Sequence, residues 1–274
     1  YEIQHHKAHF ASVLGENGLF VQNEPVLGVI WDGTGYGDDK QIWGGEFFMF
    51  QDSEMERCGH FEYFDWLAGD KMAREPRLSL FSLTEGKDAS IASKFTPEEI
   101  RIYSKILESN GLKTSSVGRV FDAVASLLGI CDTNKYEGQA AILLENCIDS
   151  YDLSTCRPLI SVGPGGRISS KQLLASVSDE LDRGSEICEI AVNFLYTLAN
   201  LIREIAVSKG VRRVACSGGV FQNSVLCDMV LELLEGSFET YFNVNLAPND
   251  ENISYGQLMY HLNCSDAAER EKEV

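Results

Sequence analysis

The sequence predicts an α/β fold, as one large domain or two closely packed lobes, with a helical insertion, and three observations predict it. Residues 26–31 (VLGVIW) form an apolar, β-branched run that meets a glycine-rich stretch, and residues 42–50 (IWGGEFFMF) resume as a second strand. Between Lys71 and Ile148 the apolar spacing becomes helical. From residue 185 onward helical and strand-like runs alternate. A chain of 274 residues suffices for one large domain or two intimate lobes, because single cores stop growing near ~250–300 residues.

The elements follow in order. The chain opens on a polar, imidazole-rich segment, QHHKAHFAS, whose place at the very start suggests a piece cut from a longer protein. Asp32 to Gly37 then reads as a glycine loop between two strands. Within the insertion, Thr96 caps a helix that opens at Pro97 and covers residues 97–110, and Val117, Val120, Phe121, Val124, Leu127 and Leu128 make an apolar stripe. Residues 185–208 read as a long, largely buried helix with a Ser185 cap and a Gly210 stop. A short strand, Val211 to Cys216, turns through Ser217-Gly218-Gly219 into a helix over 224–235. Residues 238–244 give one more strand and 255–262 a last helix. The expected organisation is a catalytic domain over 1–264, its lobes near 1–150 and 151–264, and a charged, frayed tail over 265–274.

Composition narrows the function. Lys and Arg number 23 against 41 Asp and Glu, a formal charge of -18 that repels a phosphate backbone, and the longest basic cluster is Arg212-Arg213, so no nucleic-acid partner is expected. The eight cysteines contain no C-x-x-C pair and read as free thiols of an intracellular protein. No uninterrupted apolar run reaches the roughly 18 residues of a membrane span. The expectation is a cytoplasmic protein with no membrane partner.

Three motifs carry chemistry. His5 and His9 stand four apart, so a helix would project both imidazoles from one face at a spacing that suits a divalent metal, with His6 pointing elsewhere. A solvated histidine cluster is the bland alternative. The segment WDGTGYGDD puts a carboxylate, Asp32, at a strand end, followed by glycines whose amides can approach a phosphate; an ordinary hairpin turn explains it equally well, and Asp32 could also ligate a metal. In CSGGVFQN, Cys216 to Asn223, loop amides and a helix N-terminus offer a second phosphate cradle. Pro248-Asn249-Asp250 adds a carboxylate near another strand end, or simply a turn.

Taken in order, QHHKAH, GVIWDGTGYGDDKQIWGGEF, GDKMAREPR, SSVGRVFDAVASLLGI, YEGQAA, CSGGVFQN and PNDENISYGQ resemble the C-terminal region of the hydrogenase maturation carbamoyltransferases, the HypF family, from Gln4 to about Gln257. The resemblance implies an actin-like (ASKHA) two-lobed ATPase fold with a mononuclear iron or zinc ion on His5, His9, Asp32 and Asp250. It places ATP, AMP or carbamoyladenylate, with or without magnesium, against Gly33, Thr34, Gly35, Tyr36, Gly218, Gly219 and Asn223, with Glu137 toward the ribose. Lys71 and Arg74, with Arg77, would neutralise phosphate, and Arg119 with Asp122 would line the same cleft; ionic ties between helices explain these residues almost as well. One departure stands out: the family's glycine pair after the last Asn-Asp is here Glu251-Asn252, which would disturb the metal and phosphate geometry if the glycines bring backbone close to the nucleotide.

The implied reaction passes a carbamoyl group from carbamoyladenylate to the C-terminal cysteine of HypE, a step toward the cyanide ligand of nickel-iron hydrogenases. The YrdC-like and acylphosphatase-like domains of full-length members would be further partners, and without them the present chain should not make the adenylate. Two alternatives stand beside this reading: O-carbamoylation of a small-molecule hydroxyl, and a non-catalytic nucleotide-binding docking module.

Overall fold

The computed structural model describes residues 2–21, 24–88 and 91–264, so the expected charged tail lies outside the described residues. Eleven helices and seven strands are described. Helix α1 is His5–Glu16; strands β1, β2 and β3 are Val26–Tyr36, Ile42–Gln51 and Glu54–His60, and β4 is Phe64–Asp65. The insertion follows, with α2 Lys71–Arg74, α3 Pro76–Thr84, α4 Ile91–Lys94, α5 Pro97–Ser109, β5 Lys113–Thr114, α6 Val117–Leu127 and α7 Gln139–Glu145. The chain ends with α8 Ser170–Asp182, α9 Ile187–Lys209, β6 Arg213–Ser217, α10 Ser224–Leu234, β7 Glu239–Phe242 and α11 Ile253–Cys264.

One mixed sheet organises the molecule. β1 pairs antiparallel with β2 and parallel with β6, and β7 lies parallel beside β6. On the far side of β2, β3 runs antiparallel, while the short β5 pairs with Ile42 and carries β4. The α/β class and the helical insertion are as the sequence predicts. The two segments near 1–150 and 151–264, however, share this sheet rather than building one each, because β1 and β6 are hydrogen-bonded neighbours.

Alternation along β1 explains the layering. Leu27, Val29 and Trp31 face a core built with residues of α3, α6, α8, α9 and α10, while Val26 and Ile30 face Phe10, Val13 and Leu14 of α1. Both faces are therefore covered, which is why β1 is apolar throughout its first half. Helix α1 packs so closely on α11 that a Cβ at Gly256 would collide with the Ala8 carbonyl oxygen. α9 is long and apolar enough to cross a membrane, yet most of that stretch is buried against the sheet and its helices.

Two local expectations are corrected. The glycine-rich stretch is not a loop: β1 continues through it to Tyr36, with a register shift between Trp31 and Gly35, and the turn comes after Gly37. Glycines do not end a strand when its backbone still finds partners across the ladder. Ser185 does not cap α9 either. Its hydroxyl donates to Glu180, and the N-cap residue is Glu186, while Gly210 ends the helix in a left-handed conformation as expected. Thr96 does cap α5, in a reciprocal box with Glu99.

Candidate metal centre

Three separated segments converge at the carboxyl ends of β1 and β6. Gln4 starts α1 by accepting from the Lys7 amide at 2.9 Å and donates to the Tyr36 carbonyl oxygen at 3.0 Å, pinning the helix to the end of β1. One helical turn separates His5 from His9, and their rings meet edge-on with centroids 4.7 Å apart. The bulge in β1 carries Asp32 to them, and the turn after β7 carries Asp250.

The resulting geometry is compact. Asp32 Oδ2 lies 3.0 Å from His5 Nε2 and 3.6 Å from His9 Nε2; Asp250 Oδ1 lies 3.4 Å from each. One donor atom from each of the four residues fits within 4.8 Å of all the others. His9 is fully buried, and its Nε2 has no hydrogen-bond partner. A buried imidazole nitrogen with no other partner, facing two carboxylates and a second imidazole, suits a borderline divalent cation, iron or zinc, which would displace its proton, so the residues present fit the metal that the sequence implies.

Electrostatics follow from this crowding. Burial would raise the Asp32 carboxyl, but the hydrogen bond to His5 and the neighbouring His9 imidazole hold it well below the usual carboxylate range. Burial alone would push the His9 imidazole down, yet the Asp250 and Asp32 carboxylates carry it up to about 9. His6 is lowered well below its ordinary value by burial. It points away from the cluster, with Nδ1 2.9 Å from Gln4 Nε2 and its ring against Trp43.

The second glycine loop holds these ligands. The Gly219 amide donates to Asp32 Oδ1 at 3.1 Å, and the Gly218 amide donates to the Pro248 carbonyl oxygen at 2.9 Å, tethering the segment that carries Asp250. Gly218 has φ +105°, and a Cβ there would strike the Trp31 carbonyl oxygen. Within the expected phosphate cradle, the Gly218 and Gly219 amides thus have partners inside the protein, and the first amides of α10 are met by Glu145, which accepts from Ser224 N at 2.7 Å and Val225 N at 3.2 Å. Asn223 Oδ1 caps the Leu226 amide, leaving a buried Nδ2 without a partner.

The other sequence candidates spread more widely. Gly33 and Gly35 line the end of β1, the Gly33 carbonyl accepts from Ser116 Oγ at 2.6 Å, and Thr34 and Tyr36 are exposed. Glu137 is exposed before α7 and Arg74 is exposed in α2. Lys71 donates to Tyr103 Oη at 2.8 Å, and Arg77 ties Glu75 to Glu99. Arg119 and Asp122 form a buried pair 2.8 Å apart along α6, and burial pushes the Asp122 carboxyl up to about 6 against the pull of Arg119. These pairings are the ties between and along helices that sequence reasoning set beside the phosphate role.

Residues that sequence reasoning passed over complete the site. Asn252 Oδ1 lies 3.0 Å from His9 Nδ1, and Glu16 accepts from the amides of Val244 and Asn245. Glu16 carried a legible signal, since His5, His9, Ser12 and Glu16 recur at helical spacing. Asn252 carried none beyond its place in the altered loop.

Fold and site together define an α/β domain with a two-histidine, two-aspartate cluster able to hold a metal ion. Residues 28–257 match the model of the second subdomain of the carbamoyltransferase Kae1-like domain, and the chain belongs to the HypF carbamoyltransferase family. It is 35% identical to carbamoyltransferase HypF of Synechocystis sp. over 94% of this chain and 36% of the relative. With probable carbamoyltransferase HypF of Methanocaldococcus jannaschii it shares 31% identity over 94% of this chain and 35% of the relative. The chain thus spans about a third of the length of these relatives. Among solved structures, full-length HypF in a phosphate- and nucleotide-bound form superposes with a TM-score of 0.83 at 30% identity, covering 98% of this chain and 44% of that one. HypF of T. kodakarensis gives 0.77 at 26% identity, covering 95% and 37%.

Proposed function

We propose that this domain transfers a carbamoyl group from carbamoyladenylate to the C-terminal cysteine thiol of HypE, the step that leads to the cyanide ligand of nickel-iron hydrogenases. The observation that carries the reading is the convergence of His5, His9, Asp32 and Asp250 from three distant segments in a member of this family. Bound there, an iron or zinc ion would supply Lewis acidity toward the carbamoyl or phosphate oxygen.

The chain's own residues prepare that site. The Gly219 amide fixes one oxygen of Asp32 and leaves the other facing the imidazoles. His9 is sealed from solvent, whereas the Asp250 side chain is 75% exposed, so substrate approaches from the Asp250 side. The adenylate lies along Gly33 to Tyr36, with the free Asn223 Nδ2 as a hydrogen-bond donor; that a family member's structure holds phosphate and nucleotide supports nucleotide binding. The nucleophile comes from the acceptor: Cys216, nearest in sequence to the loop, is fully buried and its thiol is pushed far up by burial. The YrdC-like and acylphosphatase-like domains of longer family members would provide the adenylate, and the reaction belongs in the cytoplasm.

Carbamoyladenylate supplied to the zinc- or iron-loaded domain should add one carbamoyl group to HypE, read as a mass increase, and His9→Ala should lose both the bound metal and the transfer. Transfer to a small hydroxyl acceptor in preference to HypE would move the reading to O-carbamoylation. Full transfer by His9→Ala would sink the metal-centred reading.

A further inference from the structure

The Asn252 side chain is 1% exposed, and its amide has only one consistent orientation. Its Nδ2 lies 3.0 Å from the Ala247 carbonyl oxygen, which can only accept. Ser217 Oγ, 3.3 Å from the same nitrogen, donates its own hydrogen to Asn243 Oδ1 at 2.7 Å and so offers a lone pair. Asn243 Oδ1 is a third acceptor at 3.4 Å. Three acceptors around one atom make that atom the amide nitrogen. Oδ1 must then face His9 Nδ1 at 3.0 Å, and it too can only accept.

The consequence passes through the imidazole. With its hydrogen on Nδ1, the neutral His9 ring carries its lone pair on Nε2, the atom that faces Asp32 and Asp250 and has no other partner. We propose that Asn252 is a positioning residue that fixes the His9 tautomer and ring orientation and thereby sets the affinity of the centre for a divalent cation. The residue that departs from the family's glycine pattern supports the ligand set rather than disturbing it. The hydrogen-bond chain starts at the Ala247 carbonyl and Ser217, so β6, the segment carrying Asp250 and α1 are locked to one another through this single amide.

This proposal rests on the metal reading, and one titration separates the two. Metal-depleted wild type and Asn252→Ala are titrated with zinc against a chromophoric chelator, and the ring N–H of His9 is followed by ¹⁵N NMR in the zinc-loaded proteins. Zinc affinity should fall by roughly 10- to 100-fold in Asn252→Ala, with the His9 Nδ1–H resonance shifting upfield and exchanging faster. Equal affinity in wild type and Asn252→Ala overturns the Asn252 role and leaves the metal reading standing, as does a weaker Asn252→Ala whose Nδ1–H resonance has not moved. Wild type that takes up no zinc removes both readings.

Discussion

At the residue scale, one buried carboxylate is held on every side by named partners, and it lies beside the site rather than in it. Glu46 is fully buried in β2, where its carboxylate accepts from the amides of Gly44 and Gly45 at 3.2 and 3.3 Å, from Ser115 Oγ, and from Arg57 Nε at 2.5 Å. Arg57 stacks 4.0 Å above the Trp43 ring, which in turn packs on His6. Removing the guanidinium leaves a buried carboxylate without its counter-charge, so Arg57→Ala should cost about 3–5 kcal/mol in urea unfolding of the metal-free protein. Arg57→Met combined with Glu46→Gln should recover part of that loss, because the uncompensated charge is then gone. The four candidate metal ligands, which the fold brings together, could be nominated from sequence because chemistry restricts which residue types can hold a cation. Glu46 and Asn252 could not, since their roles depend on neighbours up to 243 positions away in sequence.

Elements were legible where one period dominates. The stripe on α6, the Thr96 box on α5 and the Gly210 stop on α9 each rest on local spacing and appear where the sequence puts them. Residues 54–60 (EMERCGH) lack apolar alternation and become β3 through pairing with β2, while the two-residue β4 and β5 exist only through their neighbours. α8 was readable from Leu173, Leu174 and Val177, whose spacing is helical and which are buried. The glycine loop before α10 leads into a helix end that its sequence alone does not describe, because Glu145 of α7 fills it. Its carboxylate accepts from Ser224 N and Oγ, both at 2.7 Å, and favours the positive end of the helix dipole. Glu145→Ala should therefore lower stability by about 1–2 kcal/mol, with the first turn of α10 exchanging its amide hydrogens faster; unchanged exchange there would remove Glu145 from the capping role.

At the scale of the whole molecule, a charge of -18 acts against compactness, while particular carboxylates act for it. Glu99, held by the Thr96 amide and Arg77, and Glu85, held by Lys171 and Lys87, both have pKa values lowered to about 2. A carboxyl lowered on folding stabilises the fold fully above its unfolded value near ~4.3, and that contribution is lost as pH falls toward 2. The Glu85 side chain is 45% exposed and that of Glu99 29%, so solvent screens both and their effect is small singly. Asp122 runs the other way: raised to about 6 by burial, it favours the fold while protonated, and its contribution is lost as pH rises from about 4 through 6. The excess negative charge presses hardest above that range, where 41 acidic side chains face 23 basic ones. Thermal stability of the chelator-treated protein should accordingly peak near pH 5–6, fall steeply below pH 4, and decline gently toward pH 8. Added sodium chloride separates the causes. At pH 8, about 0.3 M salt should raise the melting temperature by screening like charges, whereas a fold held mainly by its surface ion pairs would melt at a lower temperature on the same addition, and that outcome would reverse the assignment of net repulsion as the dominant long-range term.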